Sequence, residues 1–395
     1  MQEGFSLGEF ALHVFLTALL GFVAFLWVAQ FVILARGVPS IPALAKSTPA
    51  ADTDCPPISI LFAGRDEAEK LPGALATMLA LDYPRYEVIA VDDRSEDATG
   101  AILGRAAREN ARLKPVRVGS LPAGWLGKPH ALQRAYERSS GEWLVFTDAD
   151  VHFAPDVLRR AVTLATARNW DHLTLICNAK MFTFGERMVM TFFGMAFMMG
   201  TRPWEASNPR AAGYSGVGAF QMVRRSAYEK LGTHRRLAME VVDDMKLGKL
   251  AKEAGVRSGV GKAGDLVSVH WHAGVGNIVR GVTKNFFAAT GYKLWLAAVQ
   301  VIGVLLLCVL PVAALPFVHG WARVFAGIAT ALPIVATAGV AWEVKTPLLY
   351  ALTFPVGALV FAWMLARSTI VTLWRGGIVW RGTFYRLEEL KRGVV

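Results

Sequence analysis

Glu142-Trp143-Leu144-Val145-Phe146-Thr147-Asp148-Ala149-Asp150-Val151-His152 decides the reading of this chain. Its first half is a short apolar run, the pattern of a strand covered on both faces. Its second half sets two carboxylates one residue apart directly after that strand. Open α/β sheets bind ligands beyond the carboxyl ends of their parallel strands. Two acids there form a hard oxygen pair suited to Mg2+ or Mn2+. Such an ion can bridge a nucleotide diphosphate and stabilise it as a leaving group. Asp-x-Asp alone is common, and loop or helix-capping acids are the competing reading.

The neighbouring sequence repeats the pattern. Ile58–Phe62, Tyr86–Val91 and Val116–Val118 read as further strands. Helical stretches at Glu67–Leu79, Asp97–Glu109 and Lys128–Ser139 alternate with them. Strands alternating with helices imply a mostly parallel, doubly wound sheet. Arg65-Asp66-Glu67 follows the first strand, and Asp92-Asp93-Arg94-Ser95 ends the second. Acids converging on one sheet edge repel each other unless they bind a cation or accept hydrogen bonds. Glu240-Val-Val-Asp243-Asp244 precedes another helix, where the dipole stabilises an acid. Lys128 opens its helix against that same dipole, so it is either a surface lysine or one facing a diphosphate or an acid.

The chain has 395 residues, 54% hydrophobic and 18% charged, with a net charge of +11. A disordered protein is excluded, and a freely soluble enzyme is disfavoured. Phe10–Ala35 is too long for a signal-peptide core and lacks a basic start, so it reads as an uncleaved anchor followed by Arg36. Leu294–Val318, Val324–Trp342 and Thr346–Ala366 each have spanning length. Met188–Gly200 is too short to span and reads as interfacial or buried. Four spans return the C-terminus to the side of the N-terminus, yet residues 367–395 carry six Lys/Arg against two Glu, which argues for the cytoplasm. Either one segment is re-entrant or the tail breaks the rule. Three scattered cysteines exclude a thiol framework. The basic residues lie mainly at membrane flanks and carry no nucleic-acid motif. A dinucleotide fold needs glycines where Ala63-Gly-Arg-Asp-Glu67 stands. A transporter would carry ionisable groups inside its spans.

Ala63-Gly-Arg-Asp-Glu67, Asp82-Tyr-Pro84, Val91-Asp-Asp-Arg-Ser-Glu-Asp97 and Thr147-Asp-Ala-Asp150, in this order and spacing, resemble family 2 glycosyltransferases of the GT-A fold. Gly216-Val-Gly-Ala-Phe looks like the start of that family's sugar and acceptor wall, and Asp243-Asp244 sits where the family has Glu-Asp. The resemblance covers about residues 57–275. The membrane segments and the ending Trp380-Arg-Gly-Thr-Phe-Tyr385 look most like the ceramide glucosyltransferase branch and its bacterial lipid-glycosylating relatives.

The resemblance implies roles position by position. Arg65, Glu67, Asp92 and Asp93 would bind or shape the pocket of a nucleotide, with uridine expected. Asp148 would lie near the sugar or ribose and share a divalent metal with Asp150. His152 is either a third ligand or a histidine in a solvated turn. Gly216 would line the sugar site. Asp244, beside Asp243, would be the general base of an inverting transfer. The family's (Gln/Arg)-x-x-Arg-Trp is replaced by a stretch with Arg280 and Lys284, expected on one helical face. They would clamp the diphosphate or touch lipid phosphates. His270 and His272 flank Trp271 on an expected strand.

The expected organisation is an anchor over 1–36, a linker over 37–56, a catalytic domain over 57–275, a basic interfacial segment over 276–293, spans over 294–374 and a basic tail over 375–395. The implied protein is membrane-embedded in a bacterial-type inner membrane, with its catalytic domain cytoplasmic. Its partners would be a nucleotide sugar donor and a membrane lipid acceptor. A polyprenyl phosphate is the rival acceptor, which would make the product a lipid-linked sugar donor.

Overall fold

The structure, a computed structural model, describes residues 7–395. The first six residues of the expected anchor lie outside the described residues. The chain divides into two units. One comprises Ser40–Lys180, Thr201–Trp271 and Thr372–Val395. The other comprises the described residues up to Pro39, Met181–Gly200 and His272–Val371.

The first unit is built on eight strands: β1 (Ile58–Gly64), β2 (Tyr86–Asp93), β3 (Leu113–Val118), β4 (Trp143–Asp148), β5 (His152–Phe153), β6 (His172–Ala179), β7 (Gln221–Arg224) and β8 (Ser258–Val269). Their order is β3-β2-β1-β4-β7-β6-β8-β5. The first four are parallel, and β7 enters antiparallel to both β4 and β6. Side chains alternate between the faces of a strand. Ile58, Ile60, Phe62, Val88 and Ala90 therefore feed one core, while Leu61, Ile89, Val91 and Leu144 feed the other. Covered faces are what make these strands read as continuous apolar runs.

Register sets the acids level. Gly64 lies opposite Asp92, and Ala63 lies opposite Asp148. The three expected acidic strand ends thus share one edge. At the other end Glu87 is a structural acid. Ser59 Oγ and Ser140 N donate to it at 2.6 Å each, and Lys114 Nζ at 2.5 Å. Burial opposes its charge, but these donors outweigh burial and hold its pKa at about 2.

The stretch expected as a linker is packed into this unit. Leu44 and Cys55 are fully buried. Ala43 bridges to Lys262, and Arg159 Nη1 donates to Ala50 O at 2.8 Å. The basic tail also folds here. It forms a hairpin of β9 (Gly377–Trp380) and β10 (Thr383–Arg386). The turn residues Arg381 (φ 48°) and Gly382 (φ 75°) both lie in the left-handed region that tight two-residue hairpins require.

The second unit is helical. Four helices are long and apolar enough to cross a membrane: Gly8–Ser40, Leu294–Ala314, Gly320–Glu343 and Leu348–Arg375. They match the four expected spans. Phe184–Thr201, the helix expected to be interfacial or buried, packs Phe192 and Met195 with Val23, Trp27, Cys308 and Phe354. Pro311 has no N–H for the carbonyl of Leu307, one helical turn earlier. The chain widens to a π-turn over Leu305–Val309, and Trp27 Nε1 donates to Leu307 O at 2.8 Å.

Candidate active site

The loops after β1 and β2 are laced by short polar side chains. Asp92 Oδ1 accepts from Ser95 N at 3.0 Å. Asp66 Oδ1 accepts from Glu96 N at 2.8 Å, and Glu67 N donates to Thr99 Oγ1 at 2.9 Å. Asp97 accepts from Ala68 N and Thr99 N. Asp93 is buried and takes a two-pronged bond from Arg94, at 2.8 and 3.1 Å. Asp92 and Asp93 thereby brace the loop after β2. A Cβ on Gly100 would stand 2.6 Å from Asp92 Oδ2, so the helix behind can approach only as glycine.

The second cluster lies where β4 ends. Lys128, near the N-terminus of the helix Gly127–Glu137, donates to Asp148 Oδ1 at 2.6 Å and lies 3.9 Å from Asp243. Burial opposes the lysine's charge, but Asp148, Asp243 and Asp244 together raise its pKa. Lys128 thus faces acids, one of the two readings its position allowed. Asp243 and Asp244 open the helix Asp243–Glu253, where the dipole favours them. Asp243 is buried between Lys128 and His234 Nε2, 3.9 Å away. Asp244 is half-buried, and main-chain N–H groups of Gly218 and Met245 donate to its two oxygens at 2.9 and 2.8 Å. The pocket is lined by Lys128, Thr147, Gly218, Gln221, Asp243 and Asp244, among others.

Two glycines permit this approach. A Cβ on Gly218 would stand 2.8 Å from Asp148 Oδ2 and 3.1 Å from Asp244 Oδ2. Gly216 packs directly on the main-chain carbonyl of Asp244, with no room for a side chain. Gly218 was not singled out as a site residue in the sequence. The tight strand-to-helix spacing after Gly216 was the available signal.

Asp150 pairs with Lys70 Nζ at 3.0 Å. His152 turns its imidazole toward the helix Leu71–Leu79, where its Cε1 stands 3.3 Å from the position of a Cβ on Gly73. Burial, with Lys180 nearby, lowers its pKa. Among the described residues no three His, Cys, Asp or Glu side chains are grouped to hold a metal. The donor set that remains is the carboxylate pair Asp148 and Asp150. One or two carboxylates completed by substrate phosphates is the usual Mg2+ arrangement, so these residues fit such an ion.

Two expectations change. β8 ends at Val269, so His270 and His272 lie beyond the strand and do not share a strand face. The helix carrying Arg280 ends at Val282, and Lys284 stands at the N-cap of the next helix, so a single continuous helix does not carry both. Thr283 and Lys284 keep helical backbone angles, but a turn there separates the two short helices. Arg280 donates to Asn277 Oδ1 at 2.6 Å and Lys284 to Asn285 Oδ1 at 2.8 Å, both within the helical unit.

The tail contributes residues the sequence did not single out. Arg381 Nη2 pairs with Glu67 Oε1 at 2.6 Å, and its Nη1 donates to Arg65 O. Arg65 Nη1 donates to Thr383 Oγ1 at 3.3 Å. Gly127 N donates to Tyr385 OH at 3.3 Å. The available signal was the Trp-Arg-Gly run itself.

A parallel sheet with paired acids at its carboxyl edge and an acid pair opening the facing helix defines a GT-A glycosyltransferase. Residues 13–392 match the profile of glycosyl transferase family 21, and the chain belongs to that family. It is similar to a mannosyltransferase of Pyrobaculum calidifontis solved with GDP-Man and Mn2+, with TM-score 0.53 and 19% identity over 90% of this chain and 99% of that one. At that identity the likeness is one of fold. It is 32% identical over 150 residues to a beta-monoglucosyldiacylglycerol synthase of Synechocystis sp., covering 34% of this chain and 31% of the relative. It is 24% identical over 231 residues to a 4,4'-diaponeurosporenoate glycosyltransferase of Staphylococcus haemolyticus, covering 58% and 60%. The match spans about a third of the first relative's length. The expected recognition, fold class and enzyme class are borne out.

Proposed function

We propose that this protein transfers a sugar, with inversion, from a UDP-hexose to a lipid hydroxyl at the membrane surface. The observation that carries the reading is the meeting of Asp148, Lys128, Asp243 and Asp244 around Gly218. Asp244 is the base. Two main-chain donors fix its carboxylate, and it is the more exposed of the acid pair. It takes the proton of the acceptor hydroxyl as that oxygen attacks the anomeric carbon. The bond from that carbon to the donor's diphosphate breaks on the opposite face, which inverts the centre. A divalent ion held by Asp148 and Asp150 would neutralise the departing diphosphate. Lys128 fixes Asp148 and supplies positive charge beside three acids. Glu67 and Arg65 serve the nucleotide side, and Asp92 and Asp93 keep its wall in place.

The acceptor class rests on two supports. Relatives of the chain are named a beta-monoglucosyldiacylglycerol synthase, which supports a lipid hydroxyl, and a 4,4'-diaponeurosporenoate glycosyltransferase. Four apolar helices keep the chain at a bilayer. We assign it to a bacterial-type inner membrane, with the catalytic unit on the cytoplasmic side.

The test is incubation of membranes with labelled UDP-glucose, UDP-galactose, UDP-GlcNAc or GDP-mannose, followed by lipid mass spectrometry. A new neutral glycolipid is expected, lost in Asp150→Ala and Asp244→Ala. A sugar appearing only on polyprenyl phosphate would replace the acceptor assignment. Full activity in either variant would remove the mechanism.

A further inference from the structure

The hairpin of β9 and β10 reaches the nucleotide edge from more than 300 residues away in the sequence. It touches the loop after β1 through Arg381 and Thr383, and the start of the helix Gly127–Glu137 through Tyr385. Tyr385 also bears on Arg94, in the loop after β2. Four contacts dock it on three separate segments at the carboxyl edge of the sheet.

We propose that Arg381, paired here with Glu67, is a donor-binding residue whose guanidinium takes the diphosphate of the nucleoside diphosphate sugar. This rests on the nucleotide-sugar reading given above and adds a residue to it. Three observations carry it.

The first is backbone conformation. Arg381 sits at φ 48°, where a tight turn favours Asn, Asp or Gly. An arginine there carries a conformational cost that its side chain must offset. The side chain is 39% exposed, so it is free to change partner.

The second is charge. The edge gathers Glu67, Asp92, Asp93, Asp148, Asp150, Asp243 and Asp244, and an anionic donor needs cations to approach it. Asp150 raises the pKa of Glu67, behind the larger effect of burial, so the two acids share one field. Arg381 is the cation nearest Glu67 that can exchange a carboxylate for a phosphate. Its planar fork matches two phosphate oxygens.

The third is Arg65. Its Nη1 is held by Thr383 of the hairpin, while its Nε is buried without a hydrogen-bond partner among the described residues. The hairpin therefore brings the guanidinium groups of Arg65 and Arg381 to one loop, and the Arg65 Nε makes only a 3.8 Å ion-pair contact with Asp66. Two cations on one loop are suited to an oxyanion.

The test is isothermal titration of the detergent-solubilised full chain with UDP, GDP and uridine. Arg381→Ala is expected to weaken UDP by about ten- to a hundredfold, the scale of a charge-assisted bond to phosphate. Uridine, which has no phosphate, should bind within about twofold of wild type. Arg381→Lys keeps the charge without the fork, should fall between, and carries the test if the alanine variant does not fold. Unchanged UDP affinity would overturn the proposal, and equal loss of UDP and uridine would reduce the hairpin to a structural wall. If wild type binds neither UDP nor GDP, the nucleotide-sugar reading itself fails. Wild-type binding with an indifferent Arg381 sinks only this inference.

Discussion

Lys128 donates to Asp148 across 2.6 Å, and the same ammonium stands 3.9 Å from Asp243. One cation thus compensates acids from two separate elements, the end of β4 and the start of the helix Asp243–Glu253. That charge offsets part of their mutual repulsion.

Lys128→Ala should therefore do two things. It should lower unfolding stability by about 1–3 kcal/mol, less than for a fully buried pair because Asp148 is 40% exposed. It should also cut sugar transfer about a hundredfold or more. High Mg2+ or Mn2+ should restore part of the stability, since an ion at Asp148 supplies similar charge. Chemical denaturation with and without the ion, beside transfer assays, checks this. A variant as stable and active as wild type would show that the acids do not interact.

Gly218 and Gly216 should separate folding from catalysis. Gly218→Ala pushes a methyl between two carboxylate oxygens, which are side-chain ends that can shift. It should fold with a near-normal thermal midpoint and lose about tenfold or more in turnover, because misplacing reacting groups by less than an ångström is costly. Gly216→Ala meets main chain, which cannot shift cheaply. It should express poorly or melt well below wild type. The order reversed, with Gly216→Ala active and Gly218→Ala unfolded, would contradict the packing described.

Much of this edge was legible in the sequence. β1, β2 and β4 announce themselves as apolar runs because both faces are covered, and their terminal acids follow directly. The alternating helices give the parallel order. The other half of the sheet was less legible. β7 is four residues long and runs antiparallel, and β6 and β8 meet through register shifts at Ile176–Asn178. No periodicity announces such strands. Arg381 was invisible as a site residue for another reason. Its partner Glu67 is distant in sequence, and only the folded hairpin brings them together.

Two buried histidines make stability depend on pH. Burial pushes His234 down to about 3, with Lys128 adding to the shift. Burial pushes His172 down to about 4, against a hydrogen bond to Gln221 that opposes it. In the unfolded chain both bind protons near 6.5. Between about 6.5 and 4 the unfolded state therefore holds protons that the folded state lacks. Stability is fully present above that window and falls as pH drops through it. The slope is up to about 1.4 kcal/mol per pH unit for each histidine. Denaturation midpoints from pH 7.5 to 4.5 should show this decline, and His172→Gln should shallow it. Identical slopes in the two proteins would mean that His172 is not buried neutral.

The hairpin also bears on how the membrane count closes. Arg381 on Glu67 and Tyr385 beside Gly127 put the tail in the same unit as the catalytic sheet. Both ends of the segment between Trp271 and Thr372 therefore lie on one side of the membrane, and the number of crossings between them must be even. Three helices in that segment are long and apolar enough to cross. We expect two of them to cross and the third to enter and return or to lie along the surface. With the catalytic unit on the cytoplasmic side, as proposed, the basic tail would obey the positive-inside bias. The expectation can be read with single cysteines at Glu96 and Glu388, after replacement of Cys55, Cys177 and Cys308. In sealed vesicles a membrane-impermeant maleimide should reach both positions from the same side. Opposite sidedness would mean an odd number of crossings, one or three, and would detach the hairpin from the nucleotide edge.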